Sequence, residues 1–406
     1  MLRQTERAPK GDASQPVWRD KFAQVRAASL RLVSALSPED CVVQSMPDAS
    51  PVKWHLAHTS WFFETFILEA FEPDFSPFDP SFRVLFNSYY NGIGDKYPRL
   101  QRGMVTRPGL DEVLAYRRDV DTRMAALFAR ELPPARGGEL AGLVALGLQH
   151  EQQHQELIVT DIKHLFSLNP APPPYPSLGA PAKNDDLAQE WVEFSGGLVE
   201  IGHAGGGFCF DNEMPRHRQF LEPYALSSRL VTNGEYAAFI DDGGYRNPAF
   251  WLSDGWAFLQ ANATLHPLYW APDGSGGWCD YTARGVIPID PAAPCVHLSF
   301  YEAAAFALWA GARLPTEAEW EHAALSDGLA QMFGTAWQWT SSSYAPYPGF
   351  AAAAGAVGEY NGKFMVNQYV LRGSSVATPP GHARITYRNF FPASARWQFM
   401  GIRLAR

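Results

Sequence analysis

Six prolines fall between residues 170 and 181 (Pro170, Pro172, Pro173, Pro174, Pro176 and Pro181). A proline fixes φ and removes a backbone donor, so this stretch can be neither helix nor central strand. It cuts the 406-residue chain into two parts of unlike pattern. Ahead of it, apolar residues recur at helical spacing. Phe22, Val25, Leu30 and Val33 mark a helix over about residues 20–36, and a second over 52–71 opens behind Pro51. A third is expected over about 110–131 and a fourth over 140–166. Four long helices with one long connection, residues 72–109, predict a four-helix bundle. Behind the prolines the chain is rich in Gly, Trp and Tyr, with strand-like pieces such as WVEFSGGLVEIGH (191–203) and short helices over about 233–241 and 301–310. That predicts a loop-rich α+β domain whose form periodicity alone does not fix. The expected division is a helical domain over 1–167, a linker over 168–187 and the α+β domain over 188–406.

Composition narrows function more than fold. With 33 Lys and Arg against 42 Asp and Glu, the net charge is −9, and no long basic run offers to neutralise a nucleic-acid backbone. A chain 46% hydrophobic, 14% aromatic and only 18% charged is not disordered. No apolar stretch approaches the roughly 20 residues that a membrane-spanning helix needs. The start, MLRQTERAPKGDASQPVWRDKF, has no apolar run after its positive charges, so no secretory signal is expected. Cys41, Cys209, Cys279 and Cys295 form no CxxC pair, which points to free thiols in a reducing cytoplasm. The expected partners are small molecules, with no nucleic acid and no membrane; the sequence leaves the oligomeric state open.

The sharpest local signal is His150-Glu151-Gln152-Gln153-His154. Positions i and i+4 share a helix face, so both imidazoles can reach one metal ion. Leu143, Leu146, Leu157 and Asp161 lie on the same stripe, so that face points into the bundle. His55 and His58, in KWHLAHTSWFFE on the second helix, offer a third ligand. Three histidines from two facing helices leave positions open, as a catalytic metal requires. Ligand type alone admits zinc, nickel or iron.

VKWHLAHTSWFFE followed by HEQQHQE resembles the DinB-like bundle of the ergothioneine-pathway sulfoxide synthases, the EgtB-type hercynine oxygenases. RLPTEAEWE (313–321), TAWQWTSSSYAPYPGF (335–350), VLRGSSVATPPGHAR (370–384) and TYRNFFPASARWQFMGIRLA (386–405) resemble the formylglycine-generating-enzyme-like domain that those proteins carry. The resemblance spans nearly the whole chain in family order. It implies an α + (α+β) architecture, with a DinB-like four-helix bundle followed by a domain related to C-type lectins. It also implies a non-haem Fe(2+) enzyme that uses O2 to join a sulfur donor to C2 of the hercynine imidazole and oxidises that sulfur to a sulfoxide. The implied ligands are His58, His150 and His154, with His55 solvated or in the second shell. Gln153 and Asn389 are the implied imidazole partners, and Tyr89 and Tyr90 match an active-site tyrosine pair of one subgroup. Phe390 and Phe391, with Trp397, lie close in sequence to Asn389 and suit a trimethylammonium. Arg99 and Arg102 present guanidinium forks suited to an amino-acid carboxylate.

Departures from the family pattern bear on the donor. Members that use gamma-glutamylcysteine carry an Asp where this chain has Phe391, which makes free cysteine the expected donor. The usual WEWT reads Trp337-Gln338-Trp339-Thr340, and RGGSCAT reads Arg372-Gly373-Ser374-Ser375-Val376-Ala377-Thr378. These changes keep open a selenoneine synthase that takes selenium from a selenosugar. No cysteine follows Cys295, so oxidation of protein cysteines by the second domain is not expected. The alternative of another class is a binding module that holds a structural metal with a closed fourth ligand.

Overall fold

The computed structural model describes residues 15–175, 187–353, 358 and 361–406. Its first half is built on four long helices, Gln15–Val33, Val52–Phe63, Leu110–Phe128 and Pro134–Ser167. All twelve residues of Val52–Phe63 are buried, and its polar side chains are matched there, Lys53 donating to Val105 O at 2.7 Å and Pro108 O at 2.9 Å and Ser60 to Leu56 O at 3.0 Å. This central helix packs against both Leu110–Phe128 and the long helix Pro134–Ser167. The approach to the long helix is close: a Cβ at Gly147 would sit 2.7 Å from the Phe63 ring. A methyl group there would push the two helices apart.

The second helix does not run unbroken to residue 71. A wider π turn covers Glu64–Leu68 before Glu69–Phe71 resumes the α form. It begins at a carboxylate with two partners, since Glu64 accepts from Phe78 N at 2.8 Å and from the Tyr116 hydroxyl at 2.6 Å. The long helix starts earlier than residue 140 because Pro134 stands in its first turn, where a missing N–H costs nothing. Its Glu151 is fully buried, paired with Arg26 at 3.0 Å and with Arg117, and it accepts from Ser29 at 2.6 Å. A buried carboxylate is tolerable only when its oxygens are matched in this way.

Of the proline-rich stretch, residues 176–186, with Pro176 and Pro181, lie outside the described residues, as do residues 1–14. The described part is not a free tether. Tyr175 donates its hydroxyl to Leu32 O at 2.8 Å in the bundle and its N–H to Ala283 O at 2.9 Å in the second half.

The second half holds small antiparallel sheets and one four-stranded sheet, ordered Asn389–Phe391, Tyr369–Ser374, Ala336–Ser343, Met400–Gly401. Three of its helices open on a Ser/Thr-x-x-Glu capping box, at Thr232–Glu235, Ser299–Glu302 and Thr316–Glu319. The helix Ser253–Asn262 carries no such box, and periodicity passed over it.

The two halves meet along the long helix. Glu156 Oε1 accepts from Trp337 Nε1 at 2.6 Å, Ser375 Oγ at 2.7 Å and Thr378 Oγ1 at 3.1 Å. One turn earlier Gln152 Nε2 donates to Pro380 O at 3.2 Å, and two turns earlier Gln149 Oε1 accepts from Arg384 at 3.0 Å. Farther along, Lys163 donates to His297 Nε2 at 2.7 Å.

Candidate metal centre and interdomain cavity

His58 stands on the central helix, and His150 and His154 stand on the long helix facing it. One ring nitrogen from each lies within 4.8 Å of the others, and all three side chains are buried. The Nε2 atoms of His58 and His150 are 3.2 Å apart. Two nitrogens bound about 2.1 Å from one ion stand roughly 3.0–3.4 Å apart, so this spacing fits. Trp54 and Trp61 stack on the His58 ring with centroids at 4.5 and 5.5 Å, and His58 Nδ1 donates to Phe86 O at 2.6 Å. The ring plane and the tautomer of His58 are thereby fixed, leaving Nε2 with its lone pair.

Burial pushes the imidazole of His150 down to about 3, and burial together with the neighbouring histidines holds His58 and His154 well below the usual value. The three rings are therefore neutral donors. Converging lone pairs repel one another in a dry site unless a cation lies between them, and a nitrogen donor set suits a transition metal. The residues present fit a metal ion. Among the described residues, the group comprises these three histidines and no fourth His, Cys, Asp or Glu.

His154 also lines a cavity of about 630 Å³ between the two halves, a size that suits a small molecule. Trp54, His55, Tyr89, Arg99 and Arg102 form its bundle wall. Gln153, Glu156 and Asp161 of the long helix form its floor, and Tyr387, Asn389, Phe390 and Phe391 close it from the second domain. Gln153 and Asn389 thus face one space from different domains. Phe390 stacks on Tyr344 with centroids 4.1 Å apart, and Phe391 meets Trp397 edge-on at 5.8 Å.

The tyrosine pair divides. Tyr89 lines the cavity, its carbonyl bonded to Lys363 of the second domain. Tyr90 is fully buried behind it among Trp61, Phe62 and Phe66, because its ring completes an aromatic cluster of the bundle core. Arg102 is held in place by Ser50 at 2.9 Å and Ser88 at 3.0 Å, its guanidinium 3.4 Å from the Trp54 ring centroid. Arg99 is more exposed and donates to Asp48 O. His55 is buried rather than solvated, with Nδ1 2.8 Å from His154 Nδ1 and Nε2 3.0 Å from Asp161 Oδ2.

Tyr387 escaped the sequence reading. Its hydroxyl accepts from Gln153 Nε2 at 2.5 Å, and it lines the same cavity as Asn389, two positions later. Two of the family departures have a structural account away from the cavity. Gln338 is fully buried, accepting from Trp320 Nε1 at 2.7 Å and Arg403 Nε at 2.8 Å and donating to the carbonyls of Gln331 and Met332 at 3.1 Å each. A carboxylate at 338 cannot make the two donations. Ser374 Oγ accepts from Gly334 N at 2.7 Å, a bond that a glycine at 374 lacks. Neither residue lines the cavity.

Residues 21–158 match the DinB superfamily, and residues 178–327 and 326–406 match the sulfatase-modifying factor enzyme 1-like domain. The chain is 31% identical to the hercynine oxygenase of Mycobacterium tuberculosis, over 95% of this chain and 97% of that protein. It is 30% identical to the hercynine oxygenase of Mycolicibacterium smegmatis, again over 95% and 97%. The formylglycine-generating enzyme of Streptomyces coelicolor is 35% identical over 37% of this chain and 51% of its own length.

Proposed function

Because the chain belongs to the hercynine oxygenase family, we propose that it is a non-haem iron(II) oxidoreductase of ergothioneine biosynthesis, joining the sulfur of free cysteine to C2 of the hercynine imidazole and leaving that sulfur as a sulfoxide. One thiol, one ring C–H and one O2 are consumed. The C–S and S–O bonds form, the S–H and C–H bonds break, and the second oxygen atom leaves as water. The observation that carries this reading is the neutral three-histidine cluster opening, at His154, onto a cavity walled by the second domain. Iron held by His58, His150 and His154 supplies the O2 chemistry that redox-inert zinc lacks.

The chain's own groups do the rest. Gln153 gives one of its two amide N–H groups to Tyr387, which leaves Oε1 to accept. Asn389 spends Oδ1 on the N–H of Phe390 at 2.9 Å, which leaves Nδ2 to donate. A neutral imidazole carries one N–H and one bare nitrogen, so the two amides complement it across the interface. An imidazolium, with two N–H groups, meets one acceptor and one clashing donor. The faces of Phe390, Phe391 and Tyr387 suit the trimethylammonium, which has no proton to donate and binds through its charge. Arg99 and Arg102 stand on the opposite wall, where a carboxylate of the thiol substrate finds guanidinium partners. Tyr89 offers a phenol beside His154 to give or take a proton. Position 391 bears no charge, so the ammonium of a gamma-glutamyl arm has no partner there.

The test is direct. Protein loaded with Fe(II) without oxygen is given hercynine with cysteine, gamma-glutamylcysteine or a selenosugar, and products are weighed by mass spectrometry after O2 is admitted. The cysteine–hercynine sulfoxide is expected. Turnover with the selenosugar and none with cysteine refutes the donor assignment, and absence of turnover with every donor refutes the activity.

A further inference from the structure

An imidazole has two nitrogens, and the one that keeps its lone pair for a metal is set by whatever holds the other. At His58 the backbone carbonyl of Phe86 does this. At His154 the partner of Nδ1 is another ring nitrogen, Nδ1 of His55, at 2.8 Å. Two facing ring nitrogens bond only when one bears a proton and the other does not. The far side of His55 decides which. Its Nε2 lies 3.0 Å from Asp161 Oδ2, the same oxygen that accepts the Ser50 N–H at 2.8 Å. That oxygen is an acceptor, so His55 Nε2 donates to it, His55 Nδ1 accepts, and His154 Nδ1 bears the proton. His154 Nε2 is thereby left for the cluster.

We infer that His55 and Asp161 form a positioning pair for the metal centre, fixing the tautomer and ring orientation of His154. The inference rests on the reading of His58, His150 and His154 as ligands. Relative exposures of 2% for His55, 5% for Asp161 and 8% for His154 keep water from competing for these bonds. Asp161 lies two helical turns after His154 on the long helix, while His55 comes from the central helix beside His58, so the pair also sets the register of the two ligand-bearing helices.

The test is metal affinity, read with Co(II) added to the full-length metal-free chain against a chromophoric chelator. His55→Leu deletes the acceptor and is expected to weaken Co(II) binding by roughly tenfold to a hundredfold. His55→Gln restores a carbonyl oxygen for His154 and an amide N–H for Asp161, and is expected to bind within about threefold of the parent. A role confined to packing affects both variants alike, so recovery in Gln alone identifies the donor–acceptor order. Thermal unfolding of the metal-free variants reports folding separately. If His55→Leu does not fold, Asp161→Asn carries the test, with binding expected to weaken by about threefold or more at an unchanged unfolding midpoint. Parent-like affinity in either of these two variants, or a loss in His55→Gln equal to that in His55→Leu, overturns the inference. A parent chain that binds no Co(II) refutes instead the ligand reading on which it rests.

Discussion

Gln153 of the bundle and Tyr387 of the second domain are joined across the cavity by a hydrogen bond of 2.5 Å from Nε2 to the phenol oxygen. This bond fixes which side of the Gln153 amide carries the carbonyl. Tyr387→Phe removes the acceptor and frees the amide to rotate. The KM for hercynine is expected to rise about three- to tenfold, near 1 kcal/mol, while the KM for the thiol stays put. Initial rates with each substrate varied in turn decide it, and equal changes in both constants refute the assignment.

Arg102 is braced by Ser50, Ser88 and the Trp54 face, whereas the more exposed Arg99 donates to the Asp48 carbonyl. Arg102→Ala is expected to raise the KM for cysteine about tenfold, or 1.4 kcal/mol, and to lower the unfolding midpoint as well. Arg102→Lys does not restore binding, because an ammonium has neither the fork nor the stacking plane. Arg99→Ala is expected to raise the same KM without the loss of stability. Steady-state kinetics paired with thermal melts separate the two residues.

The metal-free protein carries a pH signature. His150 is depressed to about 3, and His58 and His154 lie well below the ordinary histidine value near 6.5. Above pH 6.5 neither the folded nor the unfolded chain protonates these rings. As pH falls from 6.5 toward 3 only the unfolded chain takes up the protons, so stability is lost at about 1.4 kcal/mol per pH unit for each ring. Calorimetry of the metal-free parent between pH 7 and 5 is expected to show a falling midpoint, with a shallower fall in His154→Gln. Identical slopes in the two proteins contradict it.

Gln338→Glu recreates the family's usual carboxylate in a site that this chain has rebuilt around an amide. The carbonyls of Gln331 and Met332 lose their donor, at about 1–3 kcal/mol each. An unfolding midpoint lower by about 5 °C or more is expected, with the preference for cysteine over other donors unchanged. A shift in donor preference without a change in stability contradicts the structural account.

Much of the architecture was legible because its signals are local. The i, i+4 histidines fall on one helix as their spacing says, the prolines follow directly on the last bundle helix, and the short helices near 233 and 301 lie where expected, whereas Glu317–Ala323, opened by the capping box at Thr316, escaped. What escaped depends on packing. Nothing in SYY says that Tyr90 turns into the bundle core while Tyr89 stays on the cavity, because both are aromatic and only the neighbouring Trp61 and Phe66 rings decide. The role of His55 needed Asp161, more than a hundred residues away, to be brought within hydrogen-bonding reach. Tyr387 lies outside the three-residue strand Asn389–Phe391, so no periodicity ties it to Asn389.

The helix Pro134–Ser167 carries His150 and His154 of the histidine cluster, Gln153 of the cavity lining, and Gln149, Gln152, Glu156 and Lys163, which bond to the second domain. The two halves are recognisable as separate families, yet they are not interchangeable parts. A chimaera that set a foreign sulfatase-modifying-like domain on this bundle would strand the Glu156 carboxylate unless Trp337, Ser375 and Thr378 came with it, and would leave Gln153 without Tyr387. Exchange of the second domain of this chain is therefore constrained at the face of this one helix, whose bonds would have to be carried over with any replacement.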